Sequence, residues 1–231
     1  MDNISYNELV EELAQALKGR ARDKQRLVTI SKDTAALLNG ITASDDGDSL
    51  EKIAEEVAAC QRCPLHETRL NTVPGEGHPR AKIVFVGEAP GASEDKQGRP
   101  FVGRAGQLLT DIISKGMKMS RDDVYICNVL KCRPPDNRNP NPDEVSACEP
   151  YLQRQLALLQ PRVICALGAV AAHCLLKRDD PLGSMRGKWH EYQGIPLRVT
   201  YHPAYLLRQP DKKQQTWEDI KAILRYLEEH A

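Results

Sequence analysis

Lys82–Gly87 reads KIVFVG, an almost unbroken run of apolar, mostly β-branched residues. Three runs of the same kind follow at wide intervals: VYICNV at Val124–Val129, RVICAL at Arg162–Leu167 and LRVTY at Leu197–Tyr201. A strand with one wet face alternates apolar and polar residues, whereas a strand covered on both faces does not. Helical spacing fills the intervals, at Ala105–Lys115, Pro142–Leu159 and Gly168–Leu176, with a further helix at Gln214–Glu229 after the last run. Alternation of this kind predicts an α/β fold with a four-stranded parallel sheet and helices on both faces. Ligands of such sheets bind at the carboxyl ends of the strands. Those ends read GEAPG, CNVLKC, ALGA and YHPAY, so glycine and polar residues gather where a site belongs.

Upstream of the first run, SLEKIAEEVAAC predicts a helix capped by Ser49 and running into Cys60. Residues 5–18 carry helical apolar spacing, with Gly19 as a stop, and the polar stretch ending in TASDDGDS reads as a linker. The expected organisation is an N-terminal helix and linker over residues 1–49 and one domain over residues 50–231.

The chain has 231 residues, 41% hydrophobic and 28% charged, a composition that excludes collagen-like and wholly disordered chains. No apolar stretch approaches the length of a membrane span. The acidic N-terminus lacks a basic region followed by an apolar run, so the expected compartment is the cytoplasm. Net charge is zero, with 32 basic and 32 acidic residues, which argues against coating nucleic acid by bulk charge. Residues 1–49 hold six basic and nine acidic side chains, leaving the remainder mildly basic. Contact with nucleic acid therefore needs a local patch.

Seven cysteines in a chain without an export signal point to metal ligation or burial rather than disulfides. Cys60 and Cys63 form a CxxC pair at a helix end, and Cys132 and Cys148 flank RPPDNRNPNPDEVSA. Cys127, Cys165 and Cys174 fall inside strands and a helix, where cysteine acts as a small hydrophobe. Four thiolates suit zinc or an iron–sulfur cluster, and spacing does not choose between them.

The stretch GEAPGASEDKQGRPFVGRAG at Gly87–Gly106 is neither a Walker A loop nor GxGxxG. Its glycines let backbone amides approach a ligand. Glu88 directly follows a buried strand; Glu94 and Asp95 are either site carboxylates or solvated loop charges. Phe101 either plugs the core or stacks on a planar ligand. Asn128 ends the second strand and can present a donor and an acceptor to a base edge. His202 follows the fourth strand ahead of a proline turn. A ring, an amide, carboxylates and a histidine together suit a flat, hydrogen-bonding ligand such as a nucleobase.

GEAPGASEDKQGRPFVGRAGQLL, CNVLKCRPPDNRNPNPDEVSAC and HPAYLLR resemble the motifs of the family 4 uracil-DNA glycosylases, the iron–sulfur branch of that superfamily. The resemblance covers roughly residues 50–231. It implies a three-layer α/β/α sandwich with a central four-stranded parallel sheet, and a 4Fe–4S cluster on Cys60, Cys63, Cys132 and Cys148. It implies further that Phe101 stacks on a flipped uracil, that Asn128 reads its polar edge, that His202 lies against the departing base, and that Leu206 is the wedge filling the gap in the duplex. Gly87, Ala89 and Gly91 are expected in the base-binding loop.

Better-known members of the superfamily carry Asp at the position of Ala89 to handle water. Here Glu88 is the first substitute and Glu94 the second, and Glu94 is also the candidate barrier to the thymine methyl. The related branch that becomes covalently trapped uses a His between the last two cluster cysteines, and Cys132–Cys148 contains none. The resemblance thus implies a monofunctional DNA-repair glycosylase that turns over on uracil-containing DNA, single- or double-stranded, as a monomer away from membranes. Lys131, Arg133, Arg138 and Arg208 are candidates for phosphate contacts. A non-enzymatic metal module that binds DNA, or a different nucleotide-processing enzyme, are the competing classes.

Overall fold

The computed structural model describes residues 47–230. The helix expected at Ser5–Lys18 and the linker after it lie outside the described residues. Ser49 caps α1 (Leu50–Ala59) as expected, its hydroxyl accepting from the Lys52 amide at 3.1 Å. The sheet elements are β1 (Glu76–Gly77), β2 (Ile83–Gly87), β3 (Tyr125–Asn128), β4 (Val163–Leu167), β5 (Trp189–Tyr192) and β6 (Ile195–Thr200).

The sheet runs in the order β1-β3-β2-β4-β6-β5. Its four inner strands are parallel and match the four apolar runs. Both edge strands are antiparallel, so the sheet is mixed and six-stranded, and the expectation of four parallel strands is corrected. The missed strands are short or wet: β1 has two residues, and in β5 (WHEY) only Tyr192 is buried. Neither carries the continuous apolar signature of a strand covered on both faces.

The remaining helices are α2 (Ala92–Gln97), α3 (Arg104–Asp111, continuing as a π-turn to Gly116), α4 (Pro142–Leu159), α5 (Ala169–Leu176), α6 (Leu182–Met185), α7 (Pro203–Arg208) and α8 (Lys213–Glu229). Alternate residues of β2 serve opposite faces. Val84 and Val86 join Leu152 and Leu156 of α4 and Ala171 and Ala172 of α5. Ile83 and Phe85 join Leu109 of α3 and Ile220 and Ile223 of α8. A third apolar cluster packs α1 against Leu130, Cys132, Cys148 and Tyr151. Among the described residues no helix is long and apolar enough to cross a membrane.

Candidate active site and four-cysteine centre

The chain passes from β2 outward to β3, then back across β2 to β4, so the carboxyl end of β2 lies at a topological switch point. A cleft of about 490 Å³ opens there, lined by Glu88, Ala89, Gly91, Glu94, Phe101, Asn128, His202 and Arg208 among others. That volume is typical of a small-molecule site, roughly 300–1,000 Å³. The structure therefore gathers most of the predicted site residues around one cavity.

Asn128 is 1% exposed, and its Oδ1 has no hydrogen-bond partner among the described residues. A buried acceptor of this kind costs free energy until a ligand satisfies it. Gly87 faces Asn128 across the β2–β3 ladder. A Cβ at Gly87 would come within 2.6 Å of the Phe101 ring as well as colliding with Asn128. Glycine at this position is thus what lets the ring and the amide meet under the cleft.

Phe101 is itself held in a left-handed conformation, φ 52°, which disfavours a bulky residue. The surroundings impose it from three sides. Arg121 donates to the carbonyls of Pro100 (2.7 Å) and Phe101 (3.1 Å). Glu94 Oε1 accepts from the next two amides, Val102 (2.9 Å) and Gly103 (2.8 Å). Gly106 lies against the Phe101 carbonyl, where a Cβ would sit only 1.9 Å from the oxygen. Arg121 is anchored in turn by Glu76 of β1 at 2.6 Å. Sequence reading missed Arg121, because nothing local to it announces a partner twenty residues away.

His202 caps α7 by accepting the Ala204 amide on Nδ1 at 3.1 Å. That bond puts the neutral ring's proton on Nε2. Burial, reinforced by Arg208, pushes its pKa down to about 4 against the opposing pull of Glu94. The ring is therefore neutral at physiological pH. It lies 5.6 Å from the Phe101 ring, centroid to centroid. Gly168, with φ 92°, clears the space behind it: a Cβ there would stand 3.0 Å from that of His202. The end of β6 is fixed by Asp219, fully buried, which accepts from Arg198, Arg186 and Thr200.

Glu88 lines the cleft, and burial raises its carboxyl above the ordinary range. Glu94 lines it too, but its oxygens are occupied. Oε2 accepts from Gly91 at 3.2 Å, and Oε1 grips the Phe101 loop. Glu94 is thereby a brace in the first turn of α2 as well as part of the cleft lining, its Oε2 carrying a single amide bond. The same bond occupies the Gly91 amide. Asp95 is 1% exposed and accepts from the Leu70 and Asn71 amides.

Two further expectations change. Leu206 is 1% exposed and packs toward α3 and α8, so it is a core residue rather than a wedge; the exposed neighbour is Leu207, at 39%. The helical turn of α7 directs Leu206 inward and Leu207 outward. Lys131 is also 1% exposed and cannot reach a phosphate. Arg208 is exposed at the cleft mouth, Arg133 donates to Asn137, and Arg138 pairs with Glu144 at 2.5 Å.

On the far side of the Asn128–Cys132 turn, Cys60, Cys63, Cys132 and Cys148 line one cavity. No three metal-ligating side chains among the described residues converge as for a single ion. Donors face the sulfurs: Arg69 reaches Cys132 at 3.2 Å, and the Lys131 amide reaches Cys148 at 3.3 Å. Burial raises Cys148 to about 11, so it is a thiol until a metal displaces the proton. Donor set and surroundings fit an anionic cluster. Cys127 and Cys165 are fully buried in the sheet and Cys174 is buried in α5, as expected.

The model of the uracil DNA glycosylase superfamily matches residues 74–225. A type-4 uracil-DNA glycosylase of Pyrobaculum aerophilum is 49% identical over 181 residues, covering 74% of this chain and 91% of the relative. One from Sulfurisphaera tokodaii is 47% identical over 184 residues, 76% and 84% respectively. One from Thermotoga maritima is 48% identical over 168 residues, 69% and 83%. At this identity, and over this share of both chains, the protein belongs to the uracil-DNA glycosylase superfamily and within it to the type-4 uracil-DNA glycosylases.

Proposed function

We propose that this chain hydrolyses the N-glycosidic bond of deoxyuridine in DNA, releasing uracil and leaving an abasic site. The observation that carries this reading is the buried, unpartnered Oδ1 of Asn128 beside the fixed Phe101 ring. Uracil offers N3–H to that oxygen and O4 to the Asn128 amide N–H. Cytosine reverses both polarities, and a site left with unmatched buried polar groups rejects it.

The target nucleotide must leave the stack, at a cost of a few kcal/mol. Phe101 then covers one face of the base. As the bond breaks, the electron pair stays on uracil and positive charge grows on the sugar. The neutral His202, with its proton on Nε2, donates to the uracil anion, as do the amides of Glu88 and Ala89. Preorganised donors of this kind are worth roughly 10²–10³ in rate each. The Glu88 carboxylate favours the sugar cation and orients the attacking water. Leu207 takes the wedge role expected of Leu206, and Arg208 and Arg133 contact phosphates on either side.

Cys60, Cys63, Cys132 and Cys148 hold a 4Fe–4S cluster in this reading. When bound, the cluster ties α1 to the Cys132–Cys148 segment through four Fe–S bonds. Hydrolysis transfers no electron, so the tie suffices. Incubation with a uracil-containing oligonucleotide, then alkali, tests the activity. Strand scission at uracil supports it, and intact strands with free uracil absent overturn it.

A further inference from the structure

Lys131 places a positive charge in the interior at 1% exposure. An isolated buried charge is costly, and such groups persist where they are well bonded. Its Nζ donates to the backbone carbonyl of Asn128 at 2.7 Å and to Gln155 Oε1 at 2.6 Å. Both acceptors are neutral. Gln155 is also fully buried, and its own Nε2 is fixed on the Pro74 carbonyl (2.8 Å) and the Tyr125 hydroxyl (3.3 Å). Lys131 is thus clasped in one orientation.

Its backbone points the other way. The Lys131 amide donates to Cys148 Sγ, and the next residue is Cys132. Asn128 is the last residue of β3, where the ladder ends and its carbonyl needs a donor from elsewhere. Lys131 supplies it from three residues on. The five-residue turn Asn128–Cys132 therefore has the base-reading amide at one end and a cluster cysteine at the other, closed by an ammonium.

We propose that Lys131 is the positioning residue for Asn128, fixing the carbonyl and hence the set of the base-reading amide, and that through it the four-cysteine centre and the base pocket form one structural unit. The proposal rests on Asn128 as reader and on the cysteines as cluster ligands. Lys131 touches neither base nor sugar; it acts through Asn128.

The test is a double-mutant cycle on the cluster-loaded protein. Lys131→Met and Lys131→Gln are each made alone and with Asn128→Ala, and wild-type excision serves as the control for the functional reading. Iron content, absorbance near 400 nm, single-turnover excision and affinity for free uracil are measured. Both Lys131 variants are expected to carry wild-type iron, to excise uracil roughly ten- to a hundredfold more slowly, as for a misplaced reacting group, and to bind free uracil correspondingly less well. In the Asn128→Ala background the Lys131 substitutions are expected to add less than about threefold, because partners acting as a unit are non-additive. Losses that multiply in the double variant overturn the proposal, as does wild-type excision in both single variants. Loss of iron in both also overturns it, since Lys131 then serves cluster assembly. A wild-type protein that leaves uracil in place instead overturns the functional reading itself.

Discussion

Gly87 and Asn128 face each other so closely that a Cβ on the glycine would stand 2.4 Å from the amide oxygen. The approach leaves no room for adjustment, because Phe101 closes the other side. Gly87→Ala is therefore expected to displace the base-reading amide and to lower single-turnover excision by about a hundredfold. Gly183→Ala, at a position with open space around it, is the matched control and should leave the rate unchanged.

The acid side of the pH profile should begin with Glu88. Burial raises its pKa, so it takes up a proton above the ordinary carboxylate range as pH falls, and excision should decline from there. Glu88→Gln should lower the rate and erase that limb. His202 titrates below it, near 4. The unfolded chain binds a proton on this histidine near 6.5, which the folded chain refuses until about 4. Stability should thus fall as pH drops through that interval. Melting curves of wild type and His202→Gln between pH 7 and 4 check the sign: the variant should lose less.

Glu94→Ala leaves three amides without their acceptor, including two in the loop that sets Phe101. An unsatisfied buried donor costs roughly 1–3 kcal/mol. The expected outcome is a loss of stability and a fall in uracil excision of at least tenfold, with no new activity on thymine. Matched U and T oligonucleotides read this directly, and thymine release by the variant would assign Glu94 the barrier role as well.

Leu206→Ala and Leu207→Ala should separate cleanly. The first removes a core side chain and should cost about 2–5 kcal/mol of stability. The second should leave stability within about 0.5 kcal/mol and impair excision from duplex more than from single strands. Equal losses on both substrates would remove Leu207 from the wedge role.

Anaerobically purified protein should be brown, with about four irons per chain. Cys132→Ser should bleach it, whereas Cys174→Ser, on α5, should keep the colour. Stoichiometric zinc in a colourless, active protein would overturn the cluster assignment.

The four inner strands were legible because burial on both faces writes a continuous apolar run. The edge strands were not, since β1 is two residues long and β5 is mostly wet. Phe101, Asn128 and His202 could be picked out because each follows a strand end or a glycine-rich turn. The role of Glu94 could not, because its partners are set by a fold-back eight and nine residues along the chain. Leu206 and Leu207 are chemically identical, and only the pitch of a six-residue helix decides which is buried. Arg121 and Gln155 act across long separations that no local pattern encodes.

The grip on Phe101 has a consequence for how damage is found. Arg121 holds the Pro100 and Phe101 carbonyls, and Glu94 the following amides of Val102 and Gly103, before any DNA arrives. On the proposed function, the ordering entropy of the Phe101 ring is settled during folding, and a base that enters meets a preset slot. The moving part of the encounter is then the nucleic acid. On the proposed function, weakly paired or unpaired uracils should therefore be captured fastest.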